Sequence, residues 1–193
     1  MIIRLIFKQV RLIARLWNAL VFRVRHLDGH VRRGSGLCLN VPLYCEGTGY
    51  VSLGNDITIG YGLSPMLGAG MVRLKARGGE ARILVGEGTA ISNNTQVYAE
   101  QSITIGARCL IGDGVLIFDS DFHDLSAEGR HHRPPATAAV VLEDNVFVGS
   151  RAIILKGVTI GKDSVIGAGS VVVRSIPPGV IAAGNPAKVI RTL

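Results

Sequence analysis

Aliphatic residues recur at every sixth position along most of the chain, a period that fits neither an α-helix nor a simple alternating strand. The clearest series consists of Leu142, Val148, Ile154, Ile160, Ile166 and Val172. Shorter series run through residues 85–97 and 105–117, and small or β-branched residues often follow four positions later. The pattern predicts a solenoid of short strands and sharp corners, with three strands in each triangular coil and the aliphatic side chains inside.

The six-residue period breaks twice in this solenoid. Residues 65–82 alternate apolar with basic side chains as far as Gly78-Gly79, which predicts an irregular coil with a short ribbon and a solvated basic face. Residues 118–141, FDSDFHDLSAEGRHHRPPATAAVV, form a longer interruption with three of the five histidines. Because excursions from a rigid scaffold commonly carry function, we expect the chemistry on residues 118–141.

Residues 1–27 are mainly apolar, but polar side chains recur at spacings of 4, 3, 4 and 3, at Arg4, Lys8, Arg11, Arg15 and Asn18. This spacing predicts an amphipathic α-helix with one narrow polar stripe. So many cations argue against a membrane-spanning helix, and without a small-residue cleavage site we expect no signal peptide. Two interpretations stay open: the helix lies on an anionic membrane surface, or it packs its apolar face on the protein or on a partner subunit.

The net charge of +7 belongs to this one segment. Residues 1–33 contain eight cations and one acid, whereas the remaining residues contain thirteen of each. The neutral body excludes a phosphate-binding surface of the kind that nucleic acids require. A hydrophobic content of 48% excludes a disordered chain. Three cysteines without a CxxC motif predict reduced structural thiols, which suits a cytoplasmic protein.

These features divide the chain into three parts. We expect a basic helical segment at residues 1–33, a parallel β-helix at residues 34–176 with the excursion at residues 118–141, and a short tail at residues 177–193. No metal site is expected, because the three histidines of the excursion are crowded within ten residues and do not suggest converging ligands.

One long stretch carries a family resemblance: VVLEDNVFVGSRAIILKGVTIGKDSVIGAGSVVVRSIPPGVIAAGNPAKVIR, which begins at Val140. It resembles the hexapeptide-repeat acyltransferases, and in particular the galactoside and maltose acetyltransferases and those that modify exopolysaccharides and O-antigens. The resemblance implies an all-β, left-handed parallel β-helix, with the N-terminal helix and C-terminal tail added. It also implies a homotrimer with active sites between subunits, and acetyl-CoA-dependent transfer to a sugar hydroxyl. The basic N-terminal segment would hold such an enzyme at the cytoplasmic membrane face.

The resemblance also implies roles for particular residues. His123 would be the general base, a task that suits a neutral imidazole. Ser150 would contact the thioester, and Asn94 would line the acceptor pocket. Ala168 and Ser170 would bond the pantetheine arm through their backbone groups. The cationic side chains of Lys188 and Arg191 would bind the phosphates of CoA.

Other polar residues of the excursion have two interpretations each. Asp119 or Asp121 could orient the imidazole of His123, or could form the turns that open such loops. His131 and His132 could contact the sugar or be merely solvated. Two other functions also remain open: N-acetylation of a nucleotide-linked amino sugar, and a non-catalytic trimeric scaffold.

Overall fold

A computed structural model describes residues 2–26, 29–61 and 69–193. The chain begins with one helix, α1 (Ile2–Arg25), and twenty short strands follow in the described part. The strands are β1 (Val31–Arg33), β2 (Cys38–Leu39), β3 (Leu43–Glu46), β4 (Tyr50–Leu53), β5 (Thr58–Ile59), β6 (Val72–Ala76), β7 (Arg82–Val85), β8 (Ala90–Ile91), β9 (Gln96–Ala99), β10 (Ser102–Ile105), β11 (Leu110–Ile111), β12 (Leu116–Phe118), β13 (Val140–Leu142), β14 (Phe147–Val148), β15 (Ile153–Ile154), β16 (Thr159–Ile160), β17 (Val165–Ile166), β18 (Val171–Val172), β19 (Val180–Gly184) and β20 (Ala187–Thr192).

The strands form three sheets, and the chain visits the sheets in turn. Sheet A has the order β1-β4-β7-β10-β13-β16, sheet B the order β2-β5-β8-β11-β14-β17-β19-β20, and sheet C the order β3-β6-β9-β12-β15-β18. Neighbouring strands pair in parallel, except that β20 is antiparallel to β19. Each coil therefore contributes one strand to each sheet, which is a triangular parallel β-helix as the period predicts.

The core confirms the six-residue pattern. All six residues of the series from Leu142 to Val172 are completely buried, and so are the small residues between them, such as Ala152 and Val158. Buried hydroxyls bond to neighbouring coils: Thr95 Oγ1 donates to the carbonyl of Gly112 over 3.0 Å. Each inward aliphatic side chain gains roughly 1.5–3 kcal/mol from burial, so the series supplies much of the cohesion between coils.

The first interruption is more regular than the sequence predicts. Residues 65–68 lie outside the described residues, but Val72–Ala76 form the regular strand β6, which pairs in parallel with β3 and β9. The short ribbon predicted from the alternation at Val72, Leu74 and Ala76 is therefore a strand of sheet C, and its apolar residues face the core. The basic side chains form ion pairs at the surface: Arg73 and Lys75 with Glu46, and Arg77 with Glu100.

The solenoid also extends beyond residues 34–176. Strand β1 at Val31–Arg33 pairs with β4, within the segment predicted to be helical. Strand β19 at Val180–Gly184 pairs with β17, so the predicted tail continues sheet B and then folds back as β20.

All three cysteines are free thiols. Cys109 is completely buried, and burial raises the pKa of the Cys45 thiol to about 12. Cys45 is thus protonated at neutral pH, as a structural thiol should be.

Helix α1 packs on strands β2 and β3 of the first coil, and two residues of its polar stripe, Arg15 and Asn18, contact the body. Arg15 Nε donates to Asn40 Oδ1 over 2.6 Å, and Asn18 Nδ2 donates to the carbonyl of Leu39 over 3.3 Å. Phe22 is buried against the core. Within residues 2–26, 29–61 and 69–193, no helix is long and apolar enough to cross a membrane.

We predict that Ile154→Ala lowers the free energy of unfolding by about 2–5 kcal/mol, because it leaves a cavity between stacked coils. Ile190→Ala is the matched control, since Ile190 is 65% exposed and its truncation should have little effect. Urea denaturation followed by circular dichroism measures both changes. Equal effects of the two substitutions would contradict the assigned core.

Candidate functional site

One edge of the solenoid collects several of the predicted site residues. At this edge, which we call the B–C edge, each coil turns from sheet B into sheet C. Asn94 lies at the turn between β8 and β9, Ser150 at the turn between β14 and β15, and Ala168 at the turn between β17 and β18. Because equivalent turns of a parallel β-helix stack, residues 74 positions apart in sequence follow one line on the surface.

Backbone contacts hold the turns of the B–C edge closely together. The amide of Arg151 donates to the carbonyl of Asp113 over 2.8 Å. The amide of Gly169 donates to the carbonyl of Ser150 over 2.9 Å. A Cβ added to Gly149 would lie 2.5 Å from the nitrogen of Ala168, so only glycine allows this approach. The edge is therefore lined largely by backbone, which can accommodate a thin extended ligand.

The structure distinguishes among the residues predicted to contact such a ligand. Ala168 is exposed on the B–C edge, and Ser150 is half-buried there. Ser170 is completely buried, and its hydroxyl accepts a hydrogen bond from the amide of Gly184 over 3.1 Å. Its carbonyl accepts another from the amide of Ile153 over 2.8 Å. Burial argues against Ser170 as a direct contact, because its polar groups already serve the fold.

The C-terminal hairpin forms a groove near the end of sheet B. Strands β19 and β20 are joined by a turn that contains the cis Asn185–Pro186 bond. Between this hairpin and residues 173–176 lies a groove of about 500 Å³, to which Lys188 contributes. Lys188 and Arg191 are both exposed. The groove itself is lined by two cations, Arg174 and Lys188, which suit an anionic ligand group, whereas Arg191 is not among its lining residues.

The excursion leaves the solenoid at a different edge, the C–A edge, where the chain turns from sheet C into sheet A. It spans residues 119–139, between β12 and β13. Its two ends are pinched together by an antiparallel bridge between Ser120 and Thr137 and by a 2.9 Å hydrogen bond from the amide of Ala138 to the carbonyl of Asp119. The excursion therefore has a defined neck.

Aromatic packing fixes the chain directly before His123. Phe122 has a φ of 61°, a left-handed conformation that is uncommon for a bulky residue. Its ring packs edge-on against Phe118 at 5.3 Å, and the guanidinium of Arg77 lies over it at 5.6 Å. His123 follows this anchored residue with an exposed side chain.

The two aspartates before His123 have other partners in the described structure. Asp119 is completely buried and accepts the amides of Glu100 and Gln101, both over 2.8 Å. The Asp119 carboxylate thus ties the start of the excursion to the preceding coil, which differs from both the local turn and the orientation of His123. The carboxylate of Asp121 lies 3.1 Å from Lys156 Nζ, on the next coil at the C–A edge. Asp121 thus holds the neck, and an effect on His123 would pass through the backbone.

The remaining candidates are placed at turns. His131 and His132 are exposed in a compact turn at the tip of the excursion, where the amide of His132 donates to the carbonyl of Gly129. Asn94 has a φ of 61° and its Nδ2 lies 3.4 Å from Asp113 Oδ2. Among the described residues, no group of three or more His, Cys, Asp and Glu side chains is arranged to hold a metal ion.

The single chain does not bring the two parts of the predicted site to one edge. His123 belongs to the C–A edge, whereas Ser150 and Ala168 belong to the B–C edge, and sheet C separates them.

Sequence reasoning missed two residues that organise these edges. Lys156 lies 35 positions after its partner Asp121, so nothing local indicates the pair. Asn93 is completely buried, accepts the amide of Tyr61 over 2.8 Å and donates to the carbonyl of Ala69 over 2.8 Å. The run SNNTQ at a turn was a signal for Asn93, but it did not show which of the two asparagines faces inward.

Comparisons with known proteins agree with this architecture. The family model for the hexapeptide repeat of succinyl-transferase matches residues 139–174. Galactoside O-acetyltransferase from Escherichia coli is 37% identical over 116 residues, which are 58% of this chain and 55% of that protein. The chain thus matches just over half the length of this relative.

Two solved structures extend the comparison. A hexapeptide-repeat-containing acetyltransferase from Vibrio cholerae, complexed with acetyl coenzyme A, has a TM-score of 0.55 at 26% identity, over 78% of this chain and 70% of that one. An N-acyltransferase from Bacillus cereus has a TM-score of 0.70 at 20% identity, over 88% and 87% of the two chains. At that identity the second likeness concerns the fold alone.

We predict that Lys156→Met loosens the neck of the excursion, because it leaves the half-buried carboxylate of Asp121 without its cation. Hydrogen exchange of the amides of Asp121 and Ala138 should become several-fold faster. Lys156→Arg should retain protection. Lys162→Met is the matched control, since Lys162 is exposed and pairs only loosely with its neighbour Asp163. Unchanged exchange in Lys156→Met would contradict the role of this ion pair.

Proposed function

We propose that this chain, a hexapeptide-repeat protein with the left-handed parallel β-helix of the acyltransferases, is an acetyl-CoA-dependent O-acetyltransferase that modifies a hydroxyl group of a sugar. The observation that carries the proposal is the line of Asn94, Ser150 and Ala168 along the B–C edge, with the basic hairpin groove beyond it. The similarity to a galactoside O-acetyltransferase supports the reaction and the class of acceptor.

The B–C edge suits the donor. An extended pantetheine arm is thin and carries amide groups, so it would fit along stacked turns that glycines keep free of side chains. Lys188 and Arg191 are exposed and would bind the phosphates of CoA at the end of the edge. Ser150 is half-buried at the turn where the thioester would lie.

His123 would supply the base. A sugar hydroxyl is a weak nucleophile at neutral pH, and the imidazole would take its proton while the oxygen attacks the thioester carbonyl. The Ser150 hydroxyl or amide would stabilise the negative charge on the carbonyl oxygen. As the carbon–sulfur bond breaks, the imidazolium of His123 would return the proton to the sulfur, which leaves CoA as a thiol and the acetyl group on the sugar. Asn94 and His131 would contact the acceptor.

A homotrimer would complete this site. Sheet C separates His123 from the B–C edge within one chain, so a ring of copies that sets the C–A edge of one subunit against the B–C edge of the next would join them. The outer face of sheet B offers a surface for such contact. Leu110 and Phe147 stand in register there, and each is nearly half exposed.

We place the reaction in the cytoplasm, at the inner face of the cytoplasmic membrane. Acetyl-CoA is a cytoplasmic metabolite, and precursors of surface polysaccharides are held at that membrane. The basic residues 1–33 would be attracted to its anionic lipids.

The first test is His123→Ala, measured as thiol release from acetyl-CoA with a panel of saccharides. Loss of the base should lower the transfer rate about 10²–10⁴-fold, while CoA still binds. His132→Ala, on the same excursion, is the matched control and should retain activity. Full activity of His123→Ala would contradict the role of His123 as the general base.

The same assay distinguishes the other functions. Preference for amino over hydroxyl acceptors would favour N-acetylation. A wild-type protein that binds no CoA would favour the scaffold.

Complementation tests the shared site. His123→Ala and Ala168→Tyr should each be inactive, the second because a large side chain would block the arm. Random mixed trimers should regain up to about a quarter of the sites, because some interfaces then combine an intact His123 with an intact B–C edge. A mixture as inactive as its parents, with subunit exchange verified by mass spectrometry, would show that each chain uses its own two edges.

A further inference from the structure

Helix α1 presents a continuous apolar face to the outside. Ile13 is 66% exposed and Trp17 is 65% exposed. Five more large apolar side chains of the same helix are more than half exposed: Val10, Leu12, Leu16, Leu20 and Val24. Scattered exposed apolar residues are normal, but a contiguous set of this size marks an interaction surface.

The contacts of α1 with the body explain why this face is outside. On its polar side, Arg15 donates a hydrogen bond to the side chain of Asn40, and Asn18 donates one to the carbonyl of Leu39. On the same side, His26 Nε2 lies 3.0 Å from the carbonyl oxygen of Cys45, and Phe22 enters the core. A helix that only covered the first coil would turn its apolar side inward. Here the contacts on the inward side are mainly polar, with Phe22 as a buried apolar anchor, and the apolar residues of the opposite side are exposed.

We infer that this face of α1 is a docking surface for an anionic lipid bilayer, on which the helix lies in the plane of the interface. Charge complementarity selects this occupant. Residues 1–33 hold a net charge of +7, and four of the arginines are exposed: Arg23 and Arg25 on the helix, and Arg32 and Arg33 on the adjoining strand β1. An exposed apolar helix face that includes a tryptophan and lies within a strongly basic segment is the pattern of helices that bury one side at the headgroup boundary.

The same charges argue against a second copy of the chain. Two α1 helices packed face to face would bring two segments of +7 together. The rest of each chain is neutral overall and offers no compensating excess of acids. Lipid phosphates supply that negative charge at every point of the surface.

Docking through α1 would also orient the enzyme. The helix is fastened to β2 and β3 of the first coil, so that end of the solenoid would face the bilayer. The interaction does not depend on the proposed catalysis, because none of its residues belongs to the B–C edge or to the excursion.

Co-sedimentation of the full chain with vesicles tests the inference. Vesicles of phosphatidylcholine with phosphatidylglycerol should bind the protein at least about tenfold better than phosphatidylcholine alone, and added salt should weaken the binding. The double substitution Leu16→Ser/Trp17→Ser should reduce binding to the anionic vesicles by about tenfold or more. Leu84→Ser, a partly exposed residue on the outer face of sheet A, is the matched control and should bind as the wild type.

Three outcomes would overturn the inference. The first is equal binding of the wild type to both kinds of vesicle, and the second is undiminished binding of the double variant. The third is a wild-type oligomer that is lost in the double variant, as measured by sedimentation velocity, which would show that another copy covers the face. Circular dichroism confirms that the variants fold. Transfer to a soluble saccharide by the double variant should equal that of the wild type, which separates a failure of docking from a failure of the proposed function.

Discussion

The stacking of turn upon turn is the constraint on which the rest of the structure depends. Aliphatic side chains at every sixth position bind successive coils together, and the hydrogen bonds between turns keep equivalent positions in line. A side chain at a turn is therefore placed beside residues one whole coil away. Asn94, Asp113, Ser150 and Ala168 form an edge for this reason alone. Glycines at Gly112 and Gly149 allow the approach, since a Cβ there would collide with the next backbone.

The excursion obeys the same constraint in a different way. It leaves from β12 and returns at β13, so both of its ends are fixed by the solenoid. The buried carboxylate of Asp119 and the pair of Asp121 with Lys156 then hold the neck, and Phe122 packs on the strands beneath it. The backbone at His123 is consequently held in place, although the side chain of His123 is exposed. That combination suits a residue that acts on a group held by a neighbouring subunit.

The period in the sequence predicted the solenoid because burial at each sixth position is a local, repeated requirement. At Val72–Ala76 the six-residue period is interrupted, but the strand still continues sheet C, because its ordinary alternation buries every second side chain. Family resemblance supplied most of the candidate site. The folded chain aligns Asn94, Ser150 and Ala168 on one edge and buries Ser170. The partners of Asp121 and Arg15 could not be predicted, because they lie 35 and 25 positions away on surfaces that exist only in the folded chain. For the same reason the amphipathic pattern revealed the helix but not which side faces inward.

The pinched neck has a consequence for how such a protein can change. The bridge between Ser120 and Thr137 brings the two ends of the excursion together. The stacking of the coils therefore does not depend on the length of the segment between these two residues. Segments of other lengths could be grafted at this point without altering the register of a single coil. The solenoid and the excursion are thus separable modules, and under the proposed function new acceptor specificities would arise by exchange of the excursion while the B–C edge stays constant.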